Sequence, residues 1–303
     1  YLYDRTDVVR PATSKRVQAR LAFNQLNSLP FKKLLQEVAP KAIVCTHFLP
    51  LELLSDLKRR GKITVPVHAV VTDVSPHALW VYPHIDCYHV ATRAAARELE
   101  RKGFPAERIR VTGIPVDPVF ATRVTAKAAR ARLGLPEKPT VLLLSGGFGV
   151  GPVVQALESF RECRASLSLV VVAGKNAELE ARCRALAAQL PVTVTVHGFV
   201  TNMHELMDAA DIVVTKPGGL TTTEVLAKGK PMALVSPIPG QEQRNCEYLL
   251  EAGAAVRLYD VADAAFQLEA WLADTERMKR MTEAARAIAK PRAAHDIAAA
   301  LTS

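Results

Sequence analysis

Short apolar runs and stretches of helical period alternate along almost the whole chain of 303 residues. Runs rich in Val, Ile and Leu, bounded by Gly, Pro or polar clusters, predict strands at 41–46, 65–71, 86–91 and 109–113. A second series is predicted at 140–145, 167–173, 192–197, 211–215, 231–235 and 254–258. In the first part, the intervening segments predict helices at about 14–38, broken near Pro30, at 50–60 and at 93–103. Strand–helix alternation implies a mostly parallel sheet with helices on both faces. The Pro-rich passage IPVDPVF at 114–120 interrupts the first series, and VLLLSG restarts it as a complete doubly wound domain. The last stretch, 263–302, is Ala-rich and helical, with Pro291 as an expected kink.

The richest chemistry lies between Thr215 and Asn245, which reads as strand end, glycine turn, helix, strand, Pro-Gly loop and next helix. Gly218 and Gly219 are expected at a sharp turn where a Cβ would clash. Thr221, Thr222 and Thr223 then open a helix whose free N–H groups suit an anion. Glu224, expected on the first turn, can accept from two vicinal hydroxyls. The loop PIPGQE brings Gln241 and Glu242 beside the same helix mouth. Phosphate donors, a carboxylate for a ribose and a polar pair for a sugar thus converge at one sheet edge, which is what a nucleotide sugar requires. A second glycine loop, SGGFGVG from Ser145 to Gly151, also follows a strand and opens a helix.

Composition narrows the setting. Nearly all of the net charge of +9 falls in residues 1–123, including Lys32, Lys33, Lys58, Arg59, Arg60 and Lys62. Such a face attracts anionic surfaces. No nucleic-acid motif is present and aromatic residues are sparse, so nucleic acid is not an expected partner. No apolar run approaches the ~20 residues of a membrane-spanning helix. The five cysteines lack CxxC spacing and are read as reduced packing residues of a cytoplasmic protein, with no metal expected.

These motifs resemble glycosyltransferase family 28, and within it the processive diacylglycerol glucosyltransferases and monogalactosyldiacylglycerol synthases. The matching segments are CTHFLP at 45–50, VVTDVSPHALWV at 70–81, YHVAT at 88–92, VTGIPVDPVF at 111–120, LLLSGGFGVGP at 142–152, VAGKN at 172–176, HGFV at 197–200 and the Thr215–Asn245 block. The resemblance implies an α/β fold of the GT-B type, two doubly wound Rossmann-like domains facing a cleft. It divides the chain into an acceptor and membrane-facing domain at 1–120 and a nucleotide-sugar-binding domain at 121–303, whose terminal helices cross back toward the first. Family members begin with a strand and a GxGH-like loop that this sequence lacks. The first domain is therefore expected to be incomplete, by about 60–80 residues at ~30 per βα unit.

The resemblance also assigns roles. Gly146, Gly147, Phe148 and Gly149 would line the donor diphosphate, and Phe199 and Val200 would hold the uracil. Gly218, Gly219, Leu220 and Thr221 would complete the diphosphate turn. Glu224 would take the ribose hydroxyls, and Gln241 and Glu242 the hexose of UDP-glucose or UDP-galactose. In the first domain, Asp73 and His77 would orient the acceptor hydroxyl or support the base, since an imidazole titrates near pH ~6.5. Trp80 would offer its ring to a lipid headgroup or sugar. The implied reaction is an inverting single displacement in which diacylglycerol or a glycosyldiacylglycerol attacks the anomeric carbon at the surface of an anionic membrane. Helix N-termini and backbone amides would stabilise the departing diphosphate, so no cofactor beyond the UDP-sugar donor and no metal is expected. Two other readings stand beside it: transfer to a polyprenyl-linked acceptor, and a nucleotide-sugar-binding module without turnover.

Overall fold

The computed structural model of the chain describes residues 7–8, 29–146 and 152–301. They form two compact units, one of residues 1–115 with 292–303, the other of residues 116–291.

In the first unit, α1 (Leu29–Val38), β1 (Ile43–Cys45), α2 (Leu49–Arg59), β2 (Val67–Val70), β3 (Cys87–His89), α3 (Arg93–Arg101) and β4 (Ile109–Arg110) follow one another. The sheet order is β1-β2-β3-β4, with every pair parallel. Side chains alternate across a strand. Cys45, Val67, Ala69, Val71, Tyr88 and Val90 therefore share one face, packed on Leu51 and Leu54 of α2 and Ala95 and Leu99 of α3. The opposite face carries His68, Cys87, His89 and Arg110 by register. Thr92 caps α3, its hydroxyl accepting from the Ala95 N–H at 3.0 Å. Asp86 fixes the start of β2 by accepting from the Val67 N–H at 2.7 Å and pairing with Lys58.

The second unit runs through α4 (Ala126–Leu133), β5 (Thr140–Leu144), α5 (Val153–Glu158), β6 (Ser168–Val172), α6 (Ala177–Ala187), β7 (Thr193–His197) and α7 (Met203–Ala209). It continues with β8 (Ile212–Thr215), α8 (Gly219–Lys228), β9 (Met232–Leu234), α9 (Gln241–Glu251), β10 (Ala255–Arg257), α10 (Ala264–Ala273) and α11 (Thr275–Ile288). The order β10-β9-β8-β5-β6-β7 is again parallel throughout. Strands covered on both faces must be apolar on both. Val141, Leu143, Leu169, Val171, Ile212 and Val214 accordingly face one core with α5, α6 and α10. Leu142, Leu144, Val170, Val172 and Val213 face another with α7, α8 and α9. Beneath α8, Lys228 donates to Asp208 at 2.7 Å and to the Thr122 carbonyl, both charged side chains being almost wholly buried.

One expectation at a proline changes. α1 is described from Leu29 to Val38, with Pro30 near the start of that range. The predicted residues 14–28 lie outside the described ones. Pro291 does not kink a helix but occupies the gap between α11, which ends at Ile288, and α12 (Ala293–Ala300), which belongs to the first unit.

Candidate functional site

In the second unit the chain runs outward from β5 through β6 to β7, then restarts beside β5 with β8 and runs the other way. Ligands of such sheets bind where the order reverses, beyond the carboxyl ends of the two central strands. Those ends are Ser145-Gly146 after β5 and Thr215-Lys216-Pro217-Gly218 after β8. The two glycine motifs read from the sequence are therefore neighbours because of strand order, although some 70 residues of chain separate them.

Ser145 anchors its loop by donating to the Val172 carbonyl through both its N–H, at 3.2 Å, and its hydroxyl, at 3.0 Å. Gly146 has φ +76°, a left-handed conformation that favours glycine. Gly147, Phe148 and Gly149 lie outside the described residues.

At the other motif α8 starts earlier than expected. Gly218 is its N-cap and Gly219 its first residue. Gly219, Leu220 and Thr221 thus supply the unbonded N–H groups of the first turn, whereas the Thr222 N–H already donates to the Gly218 carbonyl at 3.1 Å. The hydroxyls of Thr222 and Thr223 are also committed, to the Gly218 and Gly219 carbonyls at 2.8 and 2.7 Å. Glu224 consequently falls on the second turn. The expected clash at Gly218 is absent: φ is −71°, and nothing lies within 4 Å of a Cβ placed there. Leu220 is exposed.

Glu224 is half-buried, and no group among the described residues donates a hydrogen bond to its carboxylate. Burial, reinforced by the nearby charge of Asp117, pushes its pKa up to about 7. Sequence reading missed Asp117. It caps the 3₁₀ turn Pro118–Ala121 by accepting from the Val119 N–H at 2.9 Å, and that turn packs on α8. No local pattern links residues 107 positions apart.

α9 enters the same neighbourhood. Its N-cap, Gly240, has φ +105°, which sets Gln241 as the first helical residue. Glu242 accepts from the Ile238 N–H at 2.8 Å, so one of its oxygens holds the Pro-Gly loop. Asn245, fully buried, donates to the Pro217 carbonyl at 3.1 Å and ties α9 to the turn after β8. After β7, Phe199 is exposed with the Lys175 ammonium 5.3 Å from its ring centroid, while Val200 is half-buried against the α7–α9 core. Gly146, the start of α8, Glu224, Gln241 and the Phe199 loop all follow carboxyl ends of strands in this one sheet.

The first unit holds the remaining candidates. His77 is buried and caps the 3₁₀ turn Ala78–Trp80, its Nδ1 accepting from the Leu79 N–H at 3.2 Å. The adjacent Ala78 N–H donates to Asp7, which also pairs with Lys102 at 2.7 Å. Asp73 is half-buried in the loop after β2. Trp80 departs from expectation. It is 2% exposed and packs edge-on to Phe48 within the core, and its carbonyl accepts from the Tyr88 hydroxyl. Its bulk is used to close the hydrophobic face of this sheet, so its ring is not displayed as a platform.

One cluster in this unit was not legible as a site. His68 of β2 and Cys87 and His89 of β3 gather on the sheet face opposite the main core. Burial lowers the pKa of both imidazoles, that of His89 to about 4 with help from His68 and Arg110.

Comparison with known proteins places this geometry. The monogalactosyldiacylglycerol synthase family matches residues 8–116, and the glycosyl transferases group 1 family matches residues 126–288. The processive diacylglycerol beta-glucosyltransferase of Bacillus cereus (strain AH187) is 34% identical over 268 residues, covering 88% of this chain and 68% of that one. Acinetobacter baumannii MurG superposes with a TM-score of 0.64 at 19% identity, over 89% of this chain and 75% of that one. Anabaena Alr3699/HepE, crystallised with UDP, gives 0.59 at 18% identity, over 89% and 81%. Two Rossmann-like units of parallel sheet with these likenesses are the GT-B fold. The chain belongs to the glycosyltransferases of family 28, in the group of the processive diacylglycerol glucosyltransferases and monogalactosyldiacylglycerol synthases.

Proposed function

We propose that the protein transfers a hexose from a UDP-sugar to diacylglycerol, or to a glycosyldiacylglycerol, at a membrane surface. The observation that carries the donor half is Glu224. It is a half-buried carboxylate with no donor of its own among the described residues, one turn beyond a helix start and beside the switch point of a Rossmann-like sheet. A cis-diol supplies two O–H donors to one carboxylate, and the open N–H groups of Gly219, Leu220 and Thr221 supply the complementary charge for a diphosphate. Gln241 and the remaining oxygen of Glu242 read the hexose, and Phe199 and Val200 border the base. The matched relatives are named for diacylglycerol and for glucose or galactose transfer, which supports the acceptor class.

The acceptor half is assigned to the first unit. Asp73 and His77, on the loop after β2, orient the lipid hydroxyl and accept its proton as it attacks the anomeric carbon. The diphosphate leaves as UDP, its charge taken up by the α8 N-terminus and backbone amides rather than by a cofactor. Membrane contact is supported by α1, which exposes Leu34 and Val38 beside Lys32 and Lys33, and by the exposed Leu49 at the start of α2. No helix among the described residues is long and apolar enough to cross a bilayer, so this contact is peripheral in the proposal.

The test is incubation of the protein with UDP-[14C]glucose or UDP-[14C]galactose and diacylglycerol in anionic liposomes, with UDP affinity measured in parallel. Labelled glycolipid from one donor is the expected result and names the sugar. UDP binding with product only on a polyprenyl phosphate acceptor would move the acceptor assignment. Neither binding nor product from folded protein would overturn the reading.

A further inference from the structure

His68 and Cys87 are register partners on adjacent parallel strands, and His89 stands two residues beyond Cys87 on the same face. This places two imidazoles and a thiol side by side in the interior, with relative exposures of 7%, 7% and 0%. One nitrogen of each histidine and the Cys87 sulfur all lie within 4.8 Å of one another. His68 Nδ1 and His89 Nε2 are 3.0 Å apart, with the rings nearly parallel at 21°. A tetrahedral zinc-class ion holds imidazole nitrogens at ~2.1 Å and a thiolate at ~2.3 Å, which separates its ligand atoms by about 3.4–3.6 Å.

Two neighbours suit the same role. His89 turns its other nitrogen, Nδ1, to the Thr112 hydroxyl at 3.4 Å, which selects Nε2 as the nitrogen facing His68 and Cys87. Burial raises the Cys87 thiol pKa, and Arg110, the register partner of His89, partly offsets this through its positive charge. The donor set of two imidazole nitrogens and one sulfur is soft to borderline, and it excludes magnesium and calcium, which take oxygen ligands.

We propose that His68, Cys87 and His89 form a binding site for one zinc-class ion, separate from the donor site, that clamps β2 to β3 in the first unit. Binding displaces the Cys87 thiol proton to solvent, and a water completes the tetrahedron. The site's place in mid-sheet, below the loop carrying Asp73 and His77, gives it the work of stiffening the strand from which that loop departs.

The test is titration of the full chain, stripped with a chelator, with Co2+ and then Zn2+. One equivalent of Co2+ is expected to give intense tetrahedral d–d bands with a near-ultraviolet thiolate-to-cobalt band, all abolished by Zn2+. Cys87→Ala, a small substitution in a buried position, should remove the thiolate band while leaving the UDP affinity of the second unit unchanged. Thr112→Val should lower Co2+ affinity about ten-fold. Zn2+ should raise the melting temperature of the wild type and not that of His89→Ala. Octahedral Co2+ without a thiolate band in the wild type, or a band that survives Cys87→Ala, would overturn the proposal. The wild-type spectrum decides even where a variant fails to fold.

Discussion

The two sheets differ in where they keep their polar groups. In the second unit β5, β6 and β8 are apolar through their centres, and polarity is confined to their ends. Thr140 and Ser168, at the entering ends, join hydroxyls at 3.0 Å. Ser145, Thr215 and the α8 start lie at the leaving ends. In the first unit His68, Cys87 and His89 sit within the strands. A polar group at a strand end can serve an incoming ligand, whereas one within a buried strand must be satisfied by its neighbours or by something they hold together. The same contrast recurs inside the second unit between two acids 16 residues apart in sequence. Asp208 is spent on Lys228, while Glu224 keeps its carboxylate without a donor among the described residues.

The sharpest way to break this contrast is to exchange the fates of the two acids. Asp208→Ala leaves the Lys228 ammonium buried without its counter-charge, and a loss of about 3–5 kcal/mol in unfolding free energy is expected. Denaturant titration measures it, with UDP affinity per folded molecule unchanged. Glu224→Ala should do the reverse. Loss of even one hydrogen bond to a charged acceptor, about 1.5–3 kcal/mol, weakens UDP binding roughly 10- to 100-fold by calorimetry, with no loss of stability. An unchanged affinity would remove Glu224 from the site.

Titration sharpens the comparison further. The Glu224 pKa, about 7 in the folded protein, lies above its unfolded value. The native state therefore binds more protons than the unfolded state between the two values, and this group's contribution to stability falls as pH rises from about 4.5 to 7. Glu224→Gln should flatten that decline and be the more stable protein at pH 8. UDP affinity of the wild type should rise several-fold between pH 6 and 8, as the carboxylate ionises, and that of Glu224→Gln should not. The smallest effect belongs to the first unit: Thr92→Ala, losing the cap of α3, should cost about 1 kcal/mol by thermal melting.

Much of the fold was legible because its signals are local. VLLL, LVVV and IVV, short, rich in β-branched residues and set between Gly, Pro and polar boundaries, read as strands covered on both faces, and the structure has them within a residue or two of the expected positions. Chemistry at strand ends was legible for the same reason, since the TKPGG turn announces itself. What escaped depends on packing. The start of α8 moved because Gly219, a poor helix former, is drafted into the first turn by its neighbours' bonds to the Gly218 and Gly219 carbonyls. Trp80 was read as a surface ring because its loop context is polar, yet Phe48 and Tyr88 enclose it. His68 lies nineteen residues before Cys87, a spacing with no metal-site pattern. Only the register of β2 on β3 makes them partners.

The return of residues 292–303 to the first unit has a consequence for synthesis. A ribosome releases the chain from its beginning, and domains generally fold as units while they emerge. Residues 116–291 are contiguous and can reach their final packing as soon as they are all outside. The first unit emerges earlier but waits for α12, which follows the whole of the second unit along the chain. The order of birth and the order of completion are thus reversed, and the earlier half spends the translation of some 180 residues unfinished, a window in which a chaperone has most to offer.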